Sequence, residues 1–415
     1  MLRLFRILWN SFKLALLELN NNKLRSALSL LGIAFGIFCI ISILATINSL
    51  ENKIHNDLKS FGNNTIYIDK WQYSGGPEYP WWKYIKRPEP KFEEMSFLRQ
   101  KSTLASNICL FAQSSSNVSY EDKILSGGSI YCITEDFNKI QNIVVFQGRY
   151  FTEMDFERGT TVAVIGYEYA TMLLGSAERA VGKTVNINGK ATYIIGVIEK
   201  QGKSILDGFD YDHAILLPYR YFASVYNVRY CNPLIMVQGR EDVASIALSD
   251  ELRGAMRQLH RLKPKEDDDF ALNDINQLGD NITQVFGSIN LGGWFIAGLS
   301  LLVGCFGVAN IMFVTVRERT SQIGLKKAIG AKRSTILTEF LLESAFLCII
   351  GGILGVTMVE LLILAMSSFM PFPVSIAPSI LFLAVSLCVV IGLLAGIIPA
   401  SIAAKMNPVN AIRST

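Results

Sequence analysis

Four long, almost uncharged stretches constrain the fold of this 415-residue chain more than any other feature. Residues 27–50, 291–316 and 371–404 contain no Lys, Arg, Asp or Glu, and residues 340–369 contain only two Glu residues. An α-helix needs about 20 apolar residues to cross the hydrocarbon core of a bilayer. Only 18% of the residues are charged and 50% are hydrophobic, which is typical of a membrane protein. The sequence therefore predicts four transmembrane helices.

These stretches divide the chain into membrane-spanning and water-exposed segments. We place the transmembrane helices at residues 27–50, 291–316, 334–369 and 374–400. An outer domain, a loop and a tail then occupy residues 51–290, 317–333 and 401–415. The predicted fold class is a membrane protein with four transmembrane α-helices and a large α+β extracytoplasmic domain inserted between the first and second helices.

Residues 1–26 are predicted to form an amphipathic helix at the membrane interface. Apolar residues recur at helical spacing from Leu2 to Leu19, with basic residues between them. A plain polar lead-in to the first span is the alternative. A cleaved signal peptide is disfavoured, because the apolar stretch is too long and no A-x-A pattern follows near Ala45.

Positive charge is concentrated in three segments that flank the spans. Residues 1–26, residues 317–333 and the tail are rich in Lys and Arg, whereas acidic residues outnumber basic ones in residues 51–290. The positive-inside rule places both termini and the 317–333 loop in the cytoplasm, with the outer domain on the other side. The net charge of +4 arises at these cytoplasmic edges and does not indicate nucleic-acid binding.

The outer region has the pattern of a mixed α and β domain. Strands are predicted at residues 64–69, 232–239 and 269–275, and helices at residues 91–101 and 241–260. The stretch of about residues 130–225 holds further short strands, two of them joined by Asn188-Gly189, a strong hairpin signal. We predict two subdomains, with this β-rich piece inserted into a split α+β domain.

Residues 182–184, Gly-Lys-Thr, resemble the end of a phosphate-binding P-loop. The complete motif needs Gly at position 177, where this chain has Ala, and a helix after the Thr, where the sequence continues as a strand. No other stretch matches the motif. We therefore predict that these residues bind no nucleotide.

No metal site or catalytic constellation is predicted either. His55, His213 and His260 are each expected to lack a nearby ligand-like partner, and the acidic run at residues 266–269 lacks the spacing of an EF-hand. The HExxH and GxSxG motifs do not occur. The chain itself is therefore predicted not to be an enzyme.

Three acidic residues, Glu339, Glu343 and Glu360, border or enter the third span. An acidic residue within a span is a functional hypothesis in its own right. Interfacial hydrogen bonding is favoured for the two outer glutamates, whereas Glu343 lies deeper.

Small residues recur at four-residue spacing in three of the spans. The pairs are Gly32 and Gly36, Gly351 and Gly355, and Gly392 and Gly396. Glycine at this spacing lets helix backbones approach closely. We predict that these glycines lie at helix–helix contacts, within the chain or between two copies.

The loop of residues 317–333 has the features of a short, capped helix. Thr320 or Ser321 is predicted to cap its start. Two consecutive lysines near its end suit the negative end of the helix dipole, and Gly330 is a natural left-handed residue just past the helix.

This short helix also carries an apolar surface, formed by Ile323, Leu325, Ala328 and Ile329. The alternative interpretation is a basic anchor for lipid head groups. An anchor needs charge alone, whereas this loop also has caps, small residues and apolar side chains. A docking helix explains more of the loop.

The sequence of this loop, RERTSQIGLKKAIGA at residues 317–331, resembles the signature loop of FtsX-like permeases of the MacB type, the membrane subunits of certain ABC transporters. Further similarity lies at residues 24–37, 147–156, 181–198 and 398–414. The order of one span, a large outer domain and three spans is also that of the family. The resemblance is weakest in the Trp-rich stretch at residues 72–90.

In that family the loop is a coupling helix that docks into a groove of a cytoplasmic ATPase. The resemblance therefore implies ATPase-coupling roles for Arg317, Glu318, Arg319, Ile323, Gly324, Leu325, Lys326, Lys327, Ala328, Ile329 and Gly330. It implies that a separate ATPase subunit uses ATP and Mg²⁺, while this chain itself binds no cofactor. Closure of the ATPases would move the spans and the outer domain, a mechanism called mechanotransmission.

The resemblance also implies partners and a location. Such permeases work in the bacterial inner membrane as dimers, either of one chain or of two related chains. MacB-type members export macrolides, peptides or toxins with a periplasmic adaptor and an outer-membrane channel, which is our leading hypothesis. Release of lipoproteins, as in Lol-type members, and activation of cell-wall hydrolases, as in FtsX-type members, are the alternatives.

Overall fold

The computed structural model describes residues 23–59, 61–62, 64–73, 79–202, 208–367, 369 and 373–413. The helix predicted for the first residues of the chain lies outside this set, except for its last four residues. The chain forms two compact units. We call Met1–Asn52 with Gln284–Thr415 the membrane unit, and Lys53–Thr283 the outer unit.

The helices are numbered in chain order. They are α1 (Lys23–Lys59), α2 (Trp81–Tyr84), α3 (Phe92–Lys101), α4 (Phe137–Gln141), α5 (Glu153–Arg158), α6 (Tyr167–Leu174), α7 (Tyr219–Ala223), α8 (Ser245–Leu259), α9 (Ile275–Glu318), α10 (Thr320–Ala328), α11 (Arg333–Met366), α12 (Pro378–Lys405) and α13 (Pro408–Arg413). A 3₁₀ turn covers Val228–Tyr230.

The strands are short except for two. They are β1 (Thr65–Asp69), β2 (Ala105–Tyr120), β3 (Lys123–Ile133), β4 (Val145–Gly148), β5 (Val162–Ile165), β6 (Thr184–Ile187), β7 (Lys190–Ile198), β8 (Ala214–Pro218), β9 (Leu234–Gly239) and β10 (Ala271–Asp274).

Among the described residues, α1, α9, α11 and α12 are long and apolar enough to cross a membrane. Helix α9 has 44 residues, which at 1.5 Å per residue rise about 66 Å. A bilayer core of about 30 Å needs less than half of this length. The helix therefore begins well before the apolar stretch that predicted it.

The core of the membrane unit lies between these four helices. Buried apolar side chains from each of them form one cluster, for example Ile37 of α1, Met312 of α9, Leu347 of α11 and Ile391 of α12. The same cluster includes Ile323 of the short helix α10. Helix α10 is thus packed into the membrane unit and is not an isolated loop.

The outer unit is built on one continuous sheet in the order β10-β1-β9-β2-β3-β8-β5-β7-β4, with β6 pairing to β2 and β7. The pairs β3–β8 and β5–β7 are parallel, and the other pairs are antiparallel. Strands of the β-rich piece therefore share a sheet with the strands on either side of it in sequence. Four apolar helices and this α/β domain, inserted between the first two of them, confirm the predicted fold class.

Helices cover the sheet, and the central hairpin joins its two halves. Helices α3 and α8 pack on β1, β2 and β9 through Leu98 and Leu252, which are fully buried. Strands β2 and β3 form a long hairpin that the sequence did not predict. These strands contain the segments SSSN and SGGS, and this polar, glycine-containing pattern is typical of loops.

The predicted hairpin between β6 and β7 is confirmed. Asn188 and Gly189 have φ angles of 48° and 82°, and Ile187 pairs with Lys190. Positive φ at both central residues is the geometry of the tight turn that Asn-Gly favours.

Candidate functional site

The 317–333 loop forms helix α10, which follows α9 after a single residue. Arg319 occupies the N-cap position, and no side chain caps the helix. The predicted cap by Thr320 or Ser321 is therefore wrong. The Thr320 hydroxyl instead donates backwards, to the carbonyl oxygens of Val316 (3.1 Å) and Arg317 (2.8 Å). Because α9 runs almost directly into α10, the backbone N–H of Ile323 still reaches the Arg319 carbonyl at 2.9 Å.

The end of α10 has the predicted geometry. Gly330 has a φ of 102°, in the left-handed region that glycine favours. The N–H of Ala331 donates to the Lys326 carbonyl (3.0 Å), and the N–H of Gly330 donates to the Lys327 carbonyl (3.1 Å). This pair of hydrogen bonds is a Schellman motif, which fixes where the helix stops.

The apolar residues of α10 divide between two faces. Ile323 is 3% exposed and Gly324 is buried, so both belong to the core of the membrane unit. Leu325 is 56% exposed, Ile329 is 80% exposed, and Ala328 is exposed with them. Ala328 and Ile329 follow Leu325 by three and four residues, so the side chains of these three residues share a face. We call Leu325, Ala328 and Ile329 the apolar face of α10.

Three basic residues of the loop make contacts within the membrane unit. Arg319 pairs with Glu343 of α11 at 3.0 Å, and Lys326 pairs with Glu339 of α11 at 2.6 Å. The Lys327 ammonium donates to the carbonyl oxygens of Ala404, at 2.9 Å, and Met406. These carbonyls lie at the end of α12, where a cation is favourable.

The intramembrane acids therefore have different surroundings. Glu343 is 1% exposed and pairs with Arg319, whereas Glu360 is exposed in this chain. Arg317, Glu318, Lys332 and Arg333 are exposed beside α10. The deep glutamate that sequence reasoning singled out thus belongs to the same site as the loop.

The predicted packing glycines show how closely the helices approach. A Cβ at Gly36 would lie 3.1 Å from the Ser300 carbonyl oxygen, and a Cβ at Gly355 would lie 2.8 Å from the Ala34 carbonyl oxygen. At Gly32, by contrast, it would meet nothing within 4 Å among the described residues.

The other three glycines are equally restricted. A Cβ at Gly351 would lie 2.7 Å from Ile33 of α1. One at Gly392 would lie 2.6 Å from the Cα of Ala345, and one at Gly396 would lie 3.0 Å from the Cβ of Ser344. Helices α11 and α12 therefore touch backbone to backbone.

In the outer unit, two histidines have partners that the sequence did not reveal. His260 lies 2.6 Å from Asp269 and 3.5 Å from Glu94, and His213 lies 2.9 Å from Asp210. The expectation that they lack nearby partners is wrong for both. The described residues hold no group of three His, Cys, Asp or Glu side chains placed to bind a metal ion.

The tryptophans in and beside the 72–90 stretch differ in their exposure. Trp71 is half-buried, whereas Trp81 is 57% exposed and Trp82 is 61% exposed on α2. The guanidinium of Arg87 lies over the Tyr84 ring at 4.3 Å and donates to the Asp268 carbonyl at 3.0 Å. Arg87 thus anchors the end of the stretch within the outer unit, while the two adjacent indoles face outward.

Two family models match the chain. One, described as the MacB-like periplasmic core domain, matches residues 26–255, and the other, the FtsX-like permease C-terminal, matches residues 294–408. The first match alone covers more than half of the chain. The chain therefore belongs to the family of FtsX-like permeases with a MacB-like periplasmic core domain, as the loop and the outer segments predicted. It is a multi-pass inner-membrane protein of this permease family.

Named relatives are similar along almost the whole chain. The pyoverdine export ATP-binding/permease protein PvdT of Pseudomonas aeruginosa is 33% identical over 394 residues, which is 95% of this chain and 57% of the relative. The macrolide export ATP-binding/permease protein MacB of Neisseria gonorrhoeae is 28% identical over 410 residues, 97% of this chain and 60% of the relative. This chain thus spans less than two thirds of the length of these curated relatives.

A solved structure is also similar to part of the chain. The periplasmic region of MacB from Actinobacillus actinomycetemcomitans matches with a TM-score of 0.45 and 20% identity. The match covers 56% of this chain and 98% of that structure.

Proposed function

We propose that the chain is the permease subunit of an ABC exporter that works by mechanotransmission. A cytoplasmic ATPase, which we propose to be a separate subunit, binds ATP and Mg²⁺ and docks on α10. Its closure moves the membrane unit, and the outer domain moves with it. The cargo is a periplasmic substrate such as a macrolide or a peptide, and it need not cross the bilayer through the spans.

The observation that carries this proposal is the apolar face of α10. Leu325 and Ile329 are two large apolar side chains on a helix whose other side is held in the core by Ile323. Exposed apolar residues on a rigid helix at the water-exposed end of the spans are suited to a protein partner. A lipid anchor is less well supported, because Arg319, Lys326 and Lys327 already have acceptors within the chain.

The orientation and the assembly belong to the same proposal. Basic residues at both termini and in the loop support a cytoplasmic α10 and a periplasmic outer domain. We propose that the permease works as a dimer, of this chain or with a related one, and that a periplasmic adaptor and an outer-membrane channel complete the exporter.

Co-purification with a tagged candidate ATPase tests the docking site. Leu325→Asp combined with Ile329→Asp places two charges on the apolar face of α10. We expect recovery of the ATPase to fall at least about tenfold, while the permease inserts and stays folded. Ile124→Asp combined with Ile246→Asp is the matched control, because these side chains are 68% and 74% exposed in the outer unit.

Undiminished recovery of the ATPase with the Leu325/Ile329 variant would refute the docking assignment. Ile323→Asp is unsuitable for this test. It buries a charge in the core of the membrane unit and therefore reports on folding.

A further inference from the structure

Helix α10 is attached to α11 at a point far from the turn that joins them. Glu343 is ten residues beyond Arg333, the first residue of α11, which places it about 15 Å along the helix. Arg319, just before α10, reaches it at 3.0 Å. The two ends of the α10 segment are therefore both fixed to α11, one by the covalent turn and one by this ion pair.

The surroundings of the pair make it a firm contact. The Glu343 side chain is 1% exposed and the Arg319 side chain is 20% exposed. Removing one partner of a buried ion pair leaves an uncompensated charge and is strongly unfavourable. The pair of Lys326 with Glu339 has exposures of 52% and 21%, so water screens it more strongly.

The covalent connection by itself would transmit little of a displacement from α10 to α11. The chain between α10 and α11 passes through Gly330 at a φ of 102° and through the exposed residue Lys332. A single short turn lets one helix pivot against the next. Burial of Ile323 and the Lys326–Glu339 pair hold the middle of α10. The Arg319–Glu343 pair adds an attachment about 15 Å away along α11, and two separated contacts fix a direction as well as a position.

We propose that Glu343 is a positioning residue, which carries the displacement of α10 into α11 through its ion pair with Arg319. This inference rests on the proposed function, since it assumes that an ATPase displaces α10. Lys327 makes the corresponding link to α12 through the Ala404 carbonyl. Arg319, Lys326 and Lys327 thus act inward, as connectors, and the apolar face acts outward, as the docking surface.

The test uses the permease in lipid nanodiscs together with its ATPase. Amide hydrogen exchange is measured without nucleotide and with ATP plus vanadate. In the unsubstituted protein we expect a nucleotide-dependent difference in α10, in residues 333–366 and in the outer unit. In Glu343→Gln the difference should persist in α10 and fall at least about fivefold in residues 333–366 and in the outer unit, while the ATPase still binds and hydrolyses ATP.

Three further variants separate positioning from folding. Glu360→Gln changes an exposed glutamate of the same helix and should behave as the unsubstituted protein. Glu343→Asp keeps the charge and should restore part of the difference. The exchange of partners, Arg319→Glu with Glu343→Arg, should restore it too, because the ion pair is re-formed in reverse.

The possible results test the positioning role of Glu343 and the proposed function separately. A full nucleotide-dependent difference in residues 333–366 of Glu343→Gln would overturn the positioning role. Loss of folding in all three Glu343 variants, Asp and the exchange included, would assign the pair to folding and overturn it as well. Failure of the unsubstituted permease to bind the ATPase would instead overturn the proposed function, and this inference with it.

Discussion

His260 shows how a single side chain connects three elements of the outer unit. It follows α8, and its ring lies between Glu94 of α3, at 3.5 Å, and Asp269 just before β10, at 2.6 Å. Its side chain is 11% exposed. The hydrogen bond with Glu94 and the one with Asp269 raise the pKa of His260 to about 9, although burial opposes this.

This raised pKa predicts a pH-dependent stability. The imidazolium contributes fully to the free energy of unfolding below the ordinary pKa of about 6.5. This contribution is lost as the pH rises through about 9. We expect His260→Gln to unfold more easily at about pH 6 by on the order of 1 kcal/mol, after solvent screening, and to match the unsubstituted protein near pH 10.

Chemical denaturation of the full-length protein at several pH values measures this effect. His55→Gln, which leaves the Glu94 and Asp269 contacts intact, is the control. A pH dependence that is the same with and without the His260 imidazole would rule out the assignment.

Asp155 holds the start of α5, within one of the segments that resemble the family. Its carboxylate accepts from the Thr152 N–H (2.9 Å), from Arg149 (2.8 Å) and from the Thr160 hydroxyl (2.9 Å). Burial raises the pKa of Asp155, but the hydrogen bonds from Arg149, Thr152 and Thr160 outweigh it and hold the pKa below its usual range.

A lowered pKa predicts loss of stability in acid. The Asp155 contribution is present above the ordinary pKa of about 3.9 and is lost as the pH falls through the lower folded value. We expect Asp155→Asn to cost about 2 kcal/mol at neutral pH, because a charged acceptor of several hydrogen bonds is removed. Asp250→Asn, at a 67% exposed side chain, should cost much less in the same denaturation measurement.

At the scale of elements, contact between α11 and α12 depends on residues without side chains. A Cβ at Gly392 would lie 2.6 Å from the Cα of Ala345, and that backbone cannot move aside cheaply. We expect Gly392→Ala to lower the apparent melting temperature in detergent by about 5 °C, since overpacking costs roughly 2 kcal/mol.

The control for this prediction is Gly32→Ala, because Gly32 belongs to the same four-residue glycine spacing as Gly392. A Cβ at Gly32 meets nothing within 4 Å among the described residues, so this variant should melt as the unsubstituted protein does. Equal melting temperatures for the Gly392 and Gly32 variants would refute the close contact between α11 and α12.

At the scale of the whole molecule, the charge distribution predicts that the outer unit lies on the periplasmic side of the membrane and α10 on the cytoplasmic side. Single cysteines at Tyr230 and at Ile329, each 80% exposed, report on the outer unit and on α10. In spheroplasts, a membrane-impermeant maleimide should label Tyr230→Cys directly and Ile329→Cys only after the membrane is disrupted.

The native cysteines give little background in this labelling experiment. Cys39 and Cys305 are half-buried, and the other five are buried. Labelling of the unsubstituted protein measures the remaining background. Labelling of Ile329→Cys in intact spheroplasts would reverse the predicted orientation.

The number and order of the apolar helices could be predicted from the sequence, because hydropathy is a local property summed over about 20 residues. The end of α10 at Gly330 could also be predicted from local sequence. The left-handed backbone conformation just past a helix favours glycine whatever the neighbouring elements are. The cap at its start was wrong, because α9 leads directly into α10 and supplies the Arg319 carbonyl instead. Local rules hold where no neighbouring element competes with them.

Only the tertiary structure decided which residues of the site face inward. Ile323 and Ile329 look equivalent in the sequence, yet one is 3% and the other 80% exposed, because the position of α10 against the spans selects the face. Arg319 contacts Glu343, which is 24 positions away in the sequence, and His260 contacts Glu94, which is farther away still. Such pairs depend on how the helices and the sheet pack, which no spacing along the chain encodes. The sequence by itself determined the membrane class and the short helix between the second and third spans, and the packing determined which side chains connect that helix to the spans.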